Sequence, residues 1–399
     1  MKIKRLLCFM GLVGLAVVAF PGQNSPIVVN SDKPLKGRLT VDATEKLRIR
    51  SDALGKDAYF AIDRYALSPL DENVYLLDAK DFALHVFDAA GKHVRVIRIA
   101  KGQGPGEFGG NFPLTHRAYP LGEGLWVEDY DKIALFDHQG KIIREKNKAG
   151  GPYALMQGLS AEELLVIVDE RGARPTDMIR TFPKTQHLRL ENWDGQALVR
   201  YFSSDKTGGW GNAWVGHVKD YRITPLILLD VDARGRKLVY AVSDEYVVTI
   251  KDLSGQPFLT IRRDSVPQKI TGDMRRVIMA SPYFQDLAHA VKANGQDFEK
   301  MMDMNQTWDH LNPIIQVQFL DDGMICVFVL KDVQGRIEAD LFDQKGRWQA
   351  TLEFPAAVQK LAEPRFQGNR LAGLGMNEED GEYFYLEYSL KKSPSELIR

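Results

Sequence analysis

Two sets of residues in this chain have types and spacings that bear on chemistry. The first is the segment Lys206 to Tyr221, which sets Trp210, Trp214, His217 and Tyr221 among four glycines. Large flat side chains on pliable backbone suit contact with a sugar ring or an extended peptide. The competing reading of Trp210 and Trp214 is packing between structural units. The second set is eight scattered imidazoles: His85, His93, His116, His138, His187, His217, His289 and His310. No two stand two or four residues apart, so no single strand or helix supplies a metal-binding pair, although ligands from separate units can converge. His93 and His138 fall in or beside turns and read as solvated. No Gly-x-Ser-x-Gly nucleophile motif occurs.

Other residues invite chemistry and lose it on inspection. Lys101 to Gly110 is glycine-rich, but no Gly-Lys-Ser/Thr opens a helix there and no βαβ context surrounds it, so it reads as a linker rather than a phosphate cradle. Cys326 lies in the apolar stretch Met324 to Val329 and reads as a buried, inert thiol. The only other cysteine, Cys8, belongs to the N-terminal apolar run discussed below. Asp78, Asp129, Asp169 and Asp230 close apolar runs and read as turn-forming carboxylates.

The elements that position these residues are short strands. Asn73 to Asp78, Ala83 to Asp88 and His93 to Ile99 are rich in β-branched and aromatic residues and are separated by turns. The turn Asp88-Ala89-Ala90-Gly91 has a mechanism: the carboxylate bonds backbone two residues on, and glycine supplies positive φ. The same turn recurs with Gly140, Gly195, Gly255 and Gly346, at successive intervals of 49, 55, 60 and 91 residues. Self-similar all-β units with a period of about 40–50 residues mark propeller blades. Five turns give five blades. Strands at Arg370 to Leu374 and Tyr383 to Tyr388 supply a sixth, which the segment around Leu39 to Arg50 completes, closing the ring. The fold expected is all-β, a six-bladed β-propeller, with seven blades the nearest alternative.

The long last interval holds an insertion, Gly272 to about Asn312. Val277, Ile278, Phe284, Leu287, Ala288 and Val291 recur at helical spacing, as do Phe298, Met301, Met302 and Trp308. Two short amphipathic helices broken near Pro282 are expected, forming either a lid on one rim or a methionine-rich partner surface.

The chain opens differently. Lys2, Lys4 and Arg5 precede an uncharged apolar run from Leu6 to Phe20, ended by Pro21 and Gly22. The run is short for a bilayer span, which needs about 20 apolar residues, and suits a secretory signal. Residues 1–23 are read as that signal, with cleavage after Ala19 or Gly22, and 24–399 as one propeller domain in the periplasm or outside the cell. Removing the signal takes Lys2, Lys4 and Arg5 from 52 basic residues against 53 acidic ones, leaving a net charge near −4. No basic block remains, which argues against nucleic acid as partner. No transmembrane span is expected after signal removal. Cys326 is left without a partner for an internal disulfide.

One stretch resembles a known family. Val74-Tyr-Leu-Leu-Asp78, then His85-Val-Phe-Asp-Ala-Ala-Gly-Lys92, then Lys101-Gly-Gln-Gly-Pro-Gly-Glu-Phe108 and Pro113 follow the order of an NHL-type blade and its linker. His310-Leu-Asn-Pro-Ile-Ile315, entering a strand before Asp321-Asp322-Gly323, fits the same order. The chain as a whole is similar to bacterial exported six-bladed propellers of the NHL/TolB-like group, though the third and fourth blades lack the Gly-Pro-Gly linker. Two readings of function follow, the first from the expected fold and the aromatic segment, the second from the resemblance. The leading one is a monomeric binding module for a peptide, glycan or partner protein, without cofactor or metal, using Trp210, Trp214, His217 and Tyr221. The alternative, from relatives such as amidating lyases and gluconolactonase-type propellers, is a metal-dependent lyase or hydrolase with its site at the axial mouth.

Overall fold

A computed structural model describes residues 25–31, 33–55, 60, 62–67, 72–78, 81–102, 104–109, 117–121, 124–128, 132–148, 153–169, 186–204, 227–232, 235–264, 269–279, 292, 310, 313–331, 336–359, 361–377 and 382–399. Three strands come first: β1 (Ile27–Asn30), β2 (Arg38–Thr40) and β3 (Ala43–Ile49). Six antiparallel sheets follow in chain order. Blade one is β4 (Ile62–Leu67), β5 (Val74–Asp78), β6 (Ala83–Phe87) and β7 (His93–Arg98). A short parallel pair, β8 (Ala100–Gly102) and β9 (Glu107–Gly109), leads to blade two: β10 (Arg117–Leu121), β11 (Gly124–Glu128), β12 (Lys132–Phe136) and β13 (Ile142–Asn147). Blade three is β14 (Tyr153–Gly158), β15 (Glu163–Asp169), β16 (Gln186–Asn192) and β17 (Ala197–Ser204). Blade four is β18 (Ile227–Asp232), β19 (Lys237–Val242), β20 (Val247–Asp252) and β21 (Pro257–Arg263), with β1 added parallel to β21. After the helix α1 (Gly272–Met279) comes blade five: β22 (Ile314–Phe319), β23 (Ile325–Leu330), β24 (Ile337–Phe342) and β25 (Trp348–Glu353), with β2 parallel to β25. Blade six is β26 (Ala362–Gln367), β27 (Arg370–Met376), β28 (Tyr383–Leu390) and, as outer strand, β3; a short α2 (Pro394–Leu397) ends the chain.

The protein is thus a six-bladed β-propeller. The five glycine turns found in the sequence join the third and fourth strands of blades one to five. The sixth blade has none because its outer strand comes from the N-terminus, as the strand pattern around Leu39 to Arg50 leads one to expect; that segment also edges blade five. Of the two helices expected in the insertion, the first is α1, and the remainder of 272–312 lies largely outside the described residues.

Middle strands are apolar without alternation because each blade is sandwiched between two others. β5, β6, β11 and β12 are buried along their whole length. Tyr75, Leu77, Leu84 and Val86 face Leu125, Val127 and Phe136 of blade two. Val74, Leu76 and Phe87 face the other way, onto Ala372, Leu374 and Tyr385 of blade six. Each such side chain contributes about 1.5–3 kcal/mol on burial, so the seams between blades are the core.

The turn glycine serves twice. At Gly91, φ is +79°, and the Asp88 carboxylate accepts from the Ala90 and Lys92 amides at 2.9 Å each. A Cβ on Gly91 would also stand 2.3 Å from Leu47 Cδ1 on β3, the outer strand of the preceding blade. The turn therefore needs glycine both for its backbone and for the approach of its neighbour. Gly195 has the same φ region but nothing within 4 Å.

Candidate functional site

The strand order gives the two rims of the ring unequal connections. One rim carries every first-to-second and third-to-fourth strand turn, and within the blades these are two to six residues long. The other carries the second-to-third strand loops and the passages between blades. They include the connections 170–185, 205–226 and 264–313, of 16, 22 and 50 residues. Long connections carried on a rigid ring are where binding residues commonly lie.

The inner strands are shaped at this end. β4, β22 and β26 shift register at Ile62/Arg64, Ile314/Gln316 and Ala362/Arg365, close to where each strand enters from the long-connection rim, and β14 shifts at Leu155/Gln157. Such bulges re-aim side chains. In β26, Glu363 takes φ +52° within the bulge, and Tyr65 of blade one donates to its carbonyl. Arg365, the next residue but one, reaches past blade five to Asp230 on β18, bonding at 2.6 Å. Asp230 also accepts from the Phe319 amide of β22 at 2.9 Å. One carboxylate thereby ties together the inner strands of blades four, five and six. Gln318 adds a second tie, donating to the Phe366 carbonyl and accepting from the Phe366 amide at 2.9 Å. Burial raises the pKa of Asp230 and the Arg365 guanidinium opposes the rise. Asp230, expected as a turn residue, is instead a buried structural acceptor; Asp78 does cap a turn, accepting weakly from the Asp81 amide at 3.3 Å.

A second polar cluster lies between blades four and five. Asp340 is fully buried on β24 and accepts from Tyr246 at 2.6 Å, from Thr351 at 2.6 Å and from Arg263. Burial raises the pKa values of Asp340 and of the Tyr246 hydroxyl. The Arg263 guanidinium rests on the Trp348 ring, 3.9 Å from its centroid, where cation–π attraction adds to the ion pair. Beside this cluster, at the long-connection end of blade four, a depression of about 440 Å³ is lined in part by Asp244, Glu245, Asp264 and Arg262.

The glycine-rich linker is occupied by the protein's own carboxylates. The Gly104 amide donates to Glu107 at 2.8 Å and the Gly106 amide to Glu145 at 2.6 Å, while Lys132 bonds the carbonyls of Gly104 and Glu107. Those amides are unavailable to a phosphate, in keeping with the linker reading.

Trp210, Trp214, His217 and Tyr221 lie outside the described residues, on the connection that joins β17 to β18. Of the histidines, His116, His217 and His289 are outside as well. His85 and His93 come together on the face of blade one turned to blade six, with ring centroids 5.6 Å apart. His85 stacks on Phe60 at 4.3 Å and His93 meets the edge of Phe87 at 5.1 Å. His93, expected in solvent, is partly buried, and burial followed by the nearby His85 lowers its pKa. Among the described residues no three His, Cys, Asp or Glu side chains are grouped to hold a metal ion. Cys326 is buried, and burial drives its thiol pKa well above the usual value. Among the described residues no helix is long and apolar enough to cross a membrane.

No family model matches the chain, and no curated protein matches it. Solved structures do. A candidate exported protein of Bacteroides fragilis is 11% identical over 92% of this chain and 100% of its own, with a TM-score of 0.50. A member of the DUF4221 family from Bacteroides vulgatus is 10% identical over 88% of this chain and 99% of its own, with a TM-score of 0.48. Regucalcin of Agrobacterium tumefaciens, a calcium-binding protein, is 13% identical over 91% and 99%, with a TM-score of 0.40. These neighbours are six-bladed propeller-like proteins. At such identities the likeness is one of fold.

Proposed function

We propose that the protein is an exported propeller, residues 24–399 forming one domain, that binds a peptide, glycan or partner protein through its rim of long connections. The observation that carries this reading is the asymmetry of the rims: one face holds turns of two to six residues, and the other collects the connections 170–185, 205–226 and 264–313. A ring held by its seams leaves such connections free to serve recognition. The segment 205–226 carries Trp210, Trp214, His217 and Tyr221, the aromatics suited to sugar or peptide contact. Export is supported by the Lys2 to Phe20 pattern. The NHL/TolB-like affiliation rests on the blade-one motif and agrees with the six blades.

The test is binding of the purified mature protein to glycan and peptide arrays, with Trp210→Ala/Trp214→Ala as comparison and thermal melts as control. Loss of the array signal by about tenfold or more, with the melt unchanged, is the expected outcome for a pair of aromatic anchors. A double variant that binds as well as the parent, or that unfolds, removes these residues from the binding surface. A divalent metal retained at one per chain, together with lyase or hydrolase turnover, replaces the proposal with an axial-mouth enzyme.

A further inference from the structure

Blade one holds two imidazoles that each leave a ring nitrogen unused. His85 lies on β6 and His93 opens β7, where it pairs with Phe87, two residues on from His85. Their ring centroids stand 5.6 Å apart, with the planes tilted by 45°. His85 is 7% exposed, and its Nε2 faces the Asp78 carboxylate at 3.7 Å. Its Nδ1 is buried and has no hydrogen-bond partner among the described residues. The His93 ring bonds the Arg95 backbone in the sense that favours a proton on the ring, which makes the ring the donor and the carbonyl the acceptor. His93 Nε2 is buried without a partner among the described residues, so the donor is Nδ1. Each ring thus keeps one nitrogen against an acceptor and turns the other, a bare lone pair, into the fold.

Metal-ligating histidines are held in this way, an acceptor on the far nitrogen fixing the tautomer and freeing the near one. The spacing agrees. With about 2.0 Å from metal to nitrogen and about 1.1 Å from nitrogen to ring centre, two rings on one ion lie about 5–6 Å apart. Two neutral nitrogens between aromatic rings suit a soft ion of low charge and low coordination: Phe60 stacks on His85 at 4.3 Å and Phe87 meets His93 at 5.1 Å. Copper(I), monovalent with a filled d shell, is satisfied by two imidazoles. Zinc takes four ligands, and among the described residues no group of three His, Cys, Asp or Glu side chains offers them. His93, beside the short turn and only partly buried, gives the ion its way in.

We propose that His85 Nδ1 and His93 Nε2 hold one copper(I) ion in blade one, with Asp78 and the Arg95 carbonyl positioning the two rings. This departs from the metal-free expectation for the chain. It also lies apart from the long-connection rim, so either reading can fail without the other.

The experiment is an anaerobic titration of the mature protein against the coloured copper(I) complex of bicinchoninate, whose absorbance falls as the protein withdraws the metal. One copper(I) per chain is expected. His85→Gln and His93→Gln each weaken binding by about a hundredfold or more, the upper end of what losing a mere orienting partner costs. His138→Gln, in the equivalent turn of blade two, leaves it unchanged. X-ray absorption at the copper edge reads the ligands in the unaltered protein, so the result stands even where a variant does not fold. Two or three nitrogen scatterers are expected. A sulfur shell would put the copper on methionines, of which the chain has 11, and overturns the proposal. No uptake by the parent, full uptake by both histidine variants, or zinc(II) bound as tightly as copper(I) overturns it equally.

Discussion

Two seams of the ring bury ionisable groups and treat them in opposite ways. Between blades four and five, Asp340 is surrounded by donors: Tyr246, Thr351 and the Arg263 guanidinium. Between blades six and one, His85 and His93 sit against Phe60 and Phe87, and His85 Nδ1 and His93 Nε2 are buried without a hydrogen-bond partner among the described residues. A carboxylate can stay ionised in a seam only when several donors replace water. The His93 imidazole, its pKa lowered by burial, avoids the problem by favouring its neutral form, at the cost of an unmade hydrogen bond. The first arrangement makes a seam that depends on its partners, and the second makes one that depends on pH.

The largest effect expected is at Asp340. Asp340→Ala leaves Arg263 and Tyr246 without their shared acceptor in a closed seam, and such removals cost about 3–5 kcal/mol. Urea unfolding reads this directly; a loss under about 1 kcal/mol would mean that water replaces the carboxylate and the seam is less closed than its burial indicates.

The turn glycines sharpen the comparison because one belongs to each seam. Gly91 meets Leu47 of blade six, with 2.3 Å between Leu47 Cδ1 and an added Cβ, whereas at Gly346 the nearest atoms are Leu259 Cδ2 at 3.0 Å and Ile261 Cγ1 at 3.1 Å. Both alanine variants carry the left-handed backbone penalty of about 1–2 kcal/mol. Gly91→Ala adds an overpacking cost of about 1–3 kcal/mol, and Gly346→Ala adds little. Equal destabilisation of the two variants would show that the turn backbone alone sets the requirement.

The smallest effect is a pH dependence. The His93 pKa is lowered in the fold, by burial first and the neighbouring His85 second. The unfolded chain takes up its proton near the ordinary value of about 6.5, before the folded one does. Stability is therefore full above that value, falls as pH drops from there toward the lower folded pKa, and levels off beyond it. His93→Gln removes this part of the slope. Unfolding measured from pH 8 to 5 checks it, and an unchanged slope in His93→Gln would assign the dependence elsewhere.

The periodic part of the fold is legible in the sequence because it is local. Asp88 to Gly91 is a complete instruction for a turn, and its repetition at Gly140, Gly195, Gly255 and Gly346 yields five blades. The closing strand β3 is legible because the sixth blade otherwise lacks its fourth strand. The cross-blade carboxylates are harder to see. Asp230 and Arg365 are 135 residues apart, and Arg263 and Asp340 are 77 apart, so no short pattern joins them. The available signal is an acid inside an apolar strand: Ile227-Leu-Leu-Asp-Val231 places Asp230 where a core residue belongs, a position that strand-end turn chemistry does not explain. The His85–His93 pair is hidden for another reason. A residue beside a hairpin turn is ordinarily wet, but here the neighbouring blade covers the turn.

The three N-terminal strands have a consequence for biosynthesis. β1, β2 and β3 edge blades four, five and six in that order, pairing with residues 260–263, 351–353 and 385–390. The first described residues to leave the ribosome thus wait for strands more than 200 residues further along the chain. β1 has no sheet to join until residues 260–263 are made, β2 waits for 351–353, and β3 waits for 385–390, until when the sixth blade lacks its outer strand. Pairings of such sequence separation form slowly, and waiting strand edges are prone to pair wrongly. Folding of this ring is therefore a task for the finished chain, and a truncated one is left with three edges uncovered.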